Sequence, residues 1–205
     1  MHEFIRQSVL VLPGLLLGFA LHECMHAWTA RLLGDDTGER LGRLTLDPTA
    51  HFDVIGFATA MFFGFGWAKP VPVNPLKLKH PTRDMALIAA SGPLANMALV
   101  AVFATVAIFG LGGPGVVQVA QYGAIVNAGL AVFNLLPLPP LDGYRVIIGI
   151  VGSRPLAIER LEPFGPLLLV VLIISGLGDV VISPAKGWLL DTLAGVAQTV
   201  TGLLR

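Results

Sequence analysis

Residues 21–27 read LHECMHA and place His22 and His26 four positions apart with Glu23 between them. Side chains at i and i+4 of a helix lie on one face, one turn apart. Two imidazoles so placed can bind a single zinc ion, and the glutamate can reach water at the ion's open position. The segment around them is apolar. Three ionisable groups in hydrocarbon are costly, and such groups inside membrane segments mark function. The competing reading is a pair of buried histidines hydrogen-bonded between helices.

A catalytic zinc takes three protein ligands, so one more must come from elsewhere in the chain. At 1.5 Å rise per residue, His22 and His26 sit about 12 to 18 Å from the end of their helix at Gly34, and the third ligand must reach that depth. Asp142, in FNLLPLPPLDGYR, is the leading candidate. Pro137, Pro139 and Pro140 break the helix before it, and such breaks let non-helical backbone fold into a protein-lined cavity. The alternative for Asp142 is a plain Asp-Gly turn at the membrane surface. His51 and His80 are rival ligands, but both lie in polar loops that carry proline. Cys24 points away from the His22/His26 face and reads as a packing residue.

These side chains need a scaffold, and composition says which kind. The 205 residues are 55% hydrophobic and only 13% charged, with a mean hydropathy of +0.78, whereas a soluble domain keeps roughly a quarter of its residues charged. The chain therefore reads as an integral membrane protein. Its formal net charge is zero, with no long basic or acidic run, which argues against a nucleic-acid surface. Cys24 is the one cysteine, so no internal disulfide is possible. Residues 1–20 could pass for a signal peptide, but cleavage there would cut beside the histidine pair, and they read as a retained helix.

Four segments are long and apolar enough to cross a bilayer: 8–33, 84–110, 117–138 and 164–183. A fifth, 54–68, is glycine-interrupted and short, which suits a re-entrant or interfacial element. Alternation in RLGRLTLDP and the extended WAKPVPVNP on either side suggest a small sheet. The tail, 187–204, spaces Leu189, Leu193, Val196, Val200 and Leu203 as one face of a surface-lying amphipathic helix. The expected architecture is an all-α integral membrane protein of about four transmembrane helices, with a short re-entrant or β element between the first two. It forms a single domain over 1–205, with its core at 8–145. If 54–68 returns to the side it left, ten Lys and Arg residues fall on that side and three, Arg6, Lys186 and Arg205, on the other. The positive-inside rule then puts the N-terminus outside and the long loops in the cytoplasm, as expected of a multi-pass protein of the plasma membrane whose site opens to the cytoplasm.

HECMH in an apolar helix, followed far downstream by NLLPLPPLDG, resembles the site-2 protease family of intramembrane zinc metalloproteases. LGRLTLDPTAHFD, PVPVNP and SGPLAN resemble that family's intermediate segments, so the likeness runs from Leu15 to Tyr144. It implies one zinc per chain held by His22, His26 and Asp142, with Glu23 as catalytic base. It also implies a membrane-anchored protein as substrate, cleaved within its transmembrane segment. The family often carries a PDZ domain or a regulatory extension, and the resemblance here is to a compact form without one.

Three asparagines are candidates for contact with substrate. Asn96, in SGPLANMAL, lies at a depth comparable with the histidines and can donate to a developing oxyanion or bridge helices as buried amides do. Asn134 can orient the Asp142 loop, while Asn127, seven residues earlier, reads as packing. Asn74, before Pro75, suits substrate contact or a turn. Two rival functions use the same ligands. A metal transporter would need further intramembrane carboxylates, and the interiors of the spanning segments offer only Asp179 besides Glu23 and Asp142. A catalytically inactive binding relative would have no use for Glu23.

Overall fold

The computed structural model describes residues 2–63, 68–153, 162–176, 180, 182–192 and 195. Three helices carry the bundle. Helix α1, His2–Leu32, is continuously apolar from Val9 to Leu21. Short α2, Thr37–Arg40, follows it, and α3, Val54–Phe63, lies beyond a 3-10 turn at Pro48–His51. The second long helix, α4, Pro81–Ile108, starts with Pro81 where no backbone N–H is needed. The His80 N–H donates to Asp84 Oδ2 at 2.9 Å, which closes its first turn. A turn through Gly112 returns the chain into α5, Gly113–Asn134. Beyond the Pro-rich loop come α6, Asp142–Val151, α7, Gly165–Ile174, and a helical stretch at 182–192, α8.

Small side chains explain how the long helices approach one another. Ala20, Ala27, Ala30, Ala89, Ala95, Ala120, Ala124, Ala128 and Ala131 are all buried, which suits association in lipid, where close backbone packing replaces the hydrophobic drive. Large apolar residues point outward instead, among them Leu17, Leu94 and Val102. One cluster joins Val100 to Ala124, Ala128 and Leu189, with Phe103 and Leu190 against it. A second ties Ala30 and Ile88 to Leu78 at the other end of the bundle.

Three helices, Ile5–Leu32, Pro81–Ile108 and Gly113–Asn134, are long and apolar enough to cross a membrane. The expected fourth, 164–183, is represented by ten-residue α7 and the first residues of α8; residues 177–179 and 181 lie outside the described residues. Ten helical residues span about 15 Å, half of a hydrocarbon core. The 54–68 segment is helical over Val54–Phe63, and 64–67 lie outside the described residues.

Among the described residues there is no strand, and the expected small sheet gives way for two reasons. The alternation around Leu41 and Leu44 is spent in a turn closed by Gly42 N–H to Glu39 O and Arg43 N–H to Gly38 O. In the 68–74 segment, Pro70 and Pro72 have no N–H to give a ladder. The N–H groups of Val71 and Asn74 donate instead to the carboxylates of Glu23 and Asp35. Of the tail, Leu189 is buried in the Val100 cluster and Trp188 is exposed. Leu193, Val196, Val200 and Leu203 lie outside the described residues.

Candidate metal centre

His22 and His26 project from one face of α1 toward α4 and α6, both buried, with ring centroids 4.6 Å apart and ring planes nearly perpendicular. Asp142 is the first residue of α6, where the positive end of the helix dipole favours a carboxylate. The turn before it is closed by Leu138 N–H to Leu136 O and Leu141 N–H to Leu138 O, so the proline-rich loop folds back into the bundle. Asp142 Oδ2 lies 3.1 Å from His22 Nε2 and 3.3 Å from His26 Nε2. One ligand atom from each of the three falls within 4.8 Å of the others.

Proton positions follow from the partners. His22 Nδ1 is 2.6 Å from Asn96 Oδ1 and His26 Nδ1 is 2.8 Å from the Ile88 carbonyl. Both partners only accept, so each Nδ1 carries hydrogen, and in the neutral form that a metal ligand needs, each ring turns the lone pair of Nε2 inward. Asp142 Oδ2 is buried and has no hydrogen-bond partner. Three electron pairs therefore face one point. A proton can satisfy one pair of these atoms, whereas a metal ion satisfies all three. Two imidazole nitrogens and a carboxylate oxygen form a donor set suited to zinc, with a coordination position left over. The cradle leaves no spare room: a Cβ on Gly92 of α4 would stand 2.6 Å from Nε2 of His22 and from Cε1 of both rings.

Glu23 is buried beside this group, and its Oε2 accepts from the Val71 N–H at 2.9 Å. Arg43, also buried, donates from Nη2 to the Lys69 carbonyl and lies within electrostatic reach of Glu23. The 68–74 segment is thus pinned along the site from both sides. Its far end is fixed by Asp35, fully buried beyond α1, which accepts from the Asn74 N–H at 2.6 Å and from the Thr37 hydroxyl and N–H. Burial opposes the charge of Asp35, yet the Thr37 and Asn74 hydrogen bonds and nearby Lys77 hold its carboxyl below the usual range.

The other expected residues fall as follows. Asn96 is fully buried; its Oδ1 faces His22, and Nδ2 donates to Gly18 O at 3.2 Å and to Asn127 Oδ1 at 2.9 Å. Asn134 Nδ2 donates to Leu130 O within its own helix. Asn74 Oδ1 accepts from the Leu76 N–H in a local turn. His51 is buried with Nε2 against Thr45 O, and His80 caps α4; neither joins the three converging ligands. Asp179 lies outside the described residues. Sequence reasoning missed the support supplied by Asn127, Arg43 and the Val71 N–H. Asn127 sits seven residues before Asn134 in the apolar second half of its helix, which was the available signal. Arg43 is one charge in a charged loop, and a backbone donor leaves no mark in the sequence.

Comparison with known proteins identifies relatives of this chain. The family description "Peptidase family M50" matches residues 111–174, which include Asn127, Asn134 and Asp142. "Putative zinc metalloprotease YwhC" of Bacillus subtilis (strain 168) is 37% identical over 83% of this chain and 82% of its own length. A protein named in the same way, MJ0611 of Methanocaldococcus jannaschii, is 32% identical over 63% of this chain and 64% of its own length. Rip2 of Mycolicibacterium smegmatis is 29% identical over 84% and 70% respectively. No solved structure matches the chain. Shared identity over most of both chains, together with the family match over residues 111–174, makes this chain a member of peptidase family M50, the site-2 protease family.

Proposed function

We propose that this chain is a zinc-dependent endopeptidase that cleaves membrane-anchored proteins within their transmembrane segments. The observation that carries the reading is the convergence of His22 Nε2, His26 Nε2 and Asp142 Oδ2 inside a bundle of membrane-length helices, with the carboxylate of Glu23 alongside. The donor set and the zinc metalloprotease names of the relatives agree on zinc as the metal, and the one candidate group among the described residues accounts for one ion per chain.

In this multi-pass integral membrane protein, His22, His26 and Asp142 would hold the ion. Zinc held there would supply a Lewis acid able to activate water near neutral pH and to polarise a carbonyl. Glu23 accepts the proton of the attacking water and delivers it to the leaving amine. The Val71 N–H keeps the Glu23 carboxylate aimed while that transfer takes place. Asn74 and Asn134 remain candidates for substrate contact at the rim.

A transmembrane substrate hides its peptide bonds in its own helical hydrogen bonds, so it must unwind locally before attack. The extended 68–74 segment, already aligned along Glu23, is the surface on which an unwound strand can lie by β-addition. The distribution of Lys and Arg supports a plasma-membrane orientation with the N-terminus outside and the site reached from the cytoplasm. Residues 1–205 act as one membrane-embedded unit.

Purified wild-type and Glu23→Gln proteins, incubated with a panel of single-span substrates with and without a chelator, test the reading. Cleavage that needs both the glutamate and the metal supports a protease. Metal binding with no cleavage of any substrate in the panel points to transport or binding instead.

A further inference from the structure

We propose that Asn127, acting through Asn96, fixes which nitrogen of His22 carries its proton and so sets the affinity of the site for metal. The proposal rests on the reading of His22 as a ligand. It makes Asn127 and Asn96 positioning residues and directs Asn96 at His22 and not at an oxyanion.

The argument is one of directed hydrogen bonds. Asn127 is fully buried in α5, and its Nδ2 spans two backbone carbonyls, Gly14 O at 3.0 Å and Gly123 O at 2.9 Å. Carbonyls only accept, so the amide nitrogen must face them and Oδ1 must face the other way. There it accepts from Asn96 Nδ2 at 2.9 Å. The second hydrogen of Asn96 goes to Gly18 O, so both Asn96 donors are engaged and its Oδ1 is left toward His22 Nδ1 at 2.6 Å. That oxygen can only accept, so His22 keeps its proton on Nδ1 and a lone pair on Nε2, the atom 3.1 Å from Asp142 Oδ2. Each orientation forces the next, starting from backbone carbonyls of α1 and α5 that cannot change role.

His26 needs no such relay, because its Nδ1 donates directly to the Ile88 carbonyl. The His22 side depends on side-chain amides that would otherwise be free to turn. Close packing holds them: a Cβ on Gly18 would lie 2.6 Å from Asn127 Oδ1. A ligand histidine locked by its outer partner binds metal more tightly, and loss of such a partner typically costs about 10- to 100-fold in affinity.

The test uses the full chain in detergent. Zinc dissociation constants are measured by chelator competition for wild type, Asn127→Ala, Asn96→Ala, Asn96→Asp and the Asn96→Asp/Asn127→Ala double variant. Nitrogen-15 NMR of the histidine side chains, in metal-free protein, reports the tautomer of His22 directly. Expected are the Nδ1–H tautomer in wild type and a mixture in Asn127→Ala, with affinity lowered about tenfold in Asn127→Ala and up to about 100-fold in Asn96→Ala. A carboxylate at position 96 accepts from Nδ1–H but sets its second oxygen against two acceptors, Asn127 Oδ1 and Gly18 O. Asn96→Asp should therefore itself lose affinity, and adding Asn127→Ala to it, which removes one of those acceptors, should restore part of the loss instead of adding to it. A purely structural role for Asn127 predicts instead the same loss in both backgrounds, and that result overturns the relay. So does an Nε2–H tautomer in wild type, a reading that needs neither metal nor a foldable variant. Failure of wild type to bind zinc at all, with the Nδ1–H tautomer present, would reject the metal site and leave the relay standing.

Discussion

The backbone N–H of Val71 donates to Glu23 Oε2 at 2.9 Å, joining the carboxylate beside the two histidines to the segment that runs along the site. Glu23 is therefore held by a group forty-eight residues away in sequence. Arg43 grips the same segment two residues earlier, at Lys69. Glu23 and the 68–74 segment form one mechanical unit.

Replacement of Glu23 by glutamine keeps the shape and the acceptor for Val71 but removes the proton acceptor. Cleavage should fall by about 10²- to 10⁴-fold, the span of general acid–base contributions, with zinc content unchanged. Turnover at the wild-type rate would remove Glu23 from the chemistry.

Val71→Pro deletes the donor while keeping an extended backbone. The carboxylate then loses its aim but not its charge, so kcat should drop about tenfold, less than the 10² that a 1 Å misplacement can cost. Zinc affinity should not move, because Val71 touches none of the three converging ligands. Parallel measurement of kcat and of zinc affinity separates this from a general loosening of the site.

Gly92→Ala puts a methyl group 2.6 Å from the imidazole atoms that face Asp142. Neither ring can retreat without breaking its Nδ1 hydrogen bond to Asn96 or Ile88. Zinc affinity should fall by at least about tenfold, while Gly187→Ala, at a position with open space around its Cβ, should leave it unchanged. A chelator titration of both variants reads the difference.

Asp35 gives the fold an acid-sensitive joint. Its carboxyl is held below its ordinary value by Thr37, Asn74 and Lys77 against the opposing effect of burial. A depressed folded-state pKa contributes stability in full above the unfolded value of about 3.9, and that stability is lost as pH falls through the lower folded value. Asp35→Asn should flatten the acid limb of a thermal-unfolding profile below about pH 4 and cost about 1 to 3 kcal/mol at neutral pH. An acid limb identical to wild type would place the acid-sensitive groups elsewhere.

Periodicity and residue type carried the long helices into view and put Asp142 first among candidates to join His22 and His26, because lipid forbids stray charge and a broken helix needs a reason; the resemblance to the site-2 protease family completed the set. The 41–47 and 68–74 segments were less legible. Their alternation and prolines are compatible with strands, yet the N–H groups of Gly42 and Arg43 close a turn onto Glu39 and Gly38, and those of Val71 and Asn74 go to Glu23 and Asp35, partners that no local pattern can announce. Asn127 was hidden for a related reason: a buried amide reads as glue until the direction of each hydrogen bond is known. That direction depends on the carbonyls of Gly14 and Gly123, which the sequence does not bring together.

The central claim is that His22, His26 and Asp142 share one ion, and metal analysis of purified protein with its ligand variants tests it most directly. Wild type and Glu23→Gln should each carry about one zinc per chain, as expected of a three-ligand site with its fourth position open. His26→Ala and Asp142→Ala should each lose it while keeping wild-type helix content. Full zinc occupancy in Asp142→Ala would contradict the account, since the metal would then be held without the residue that closes the site.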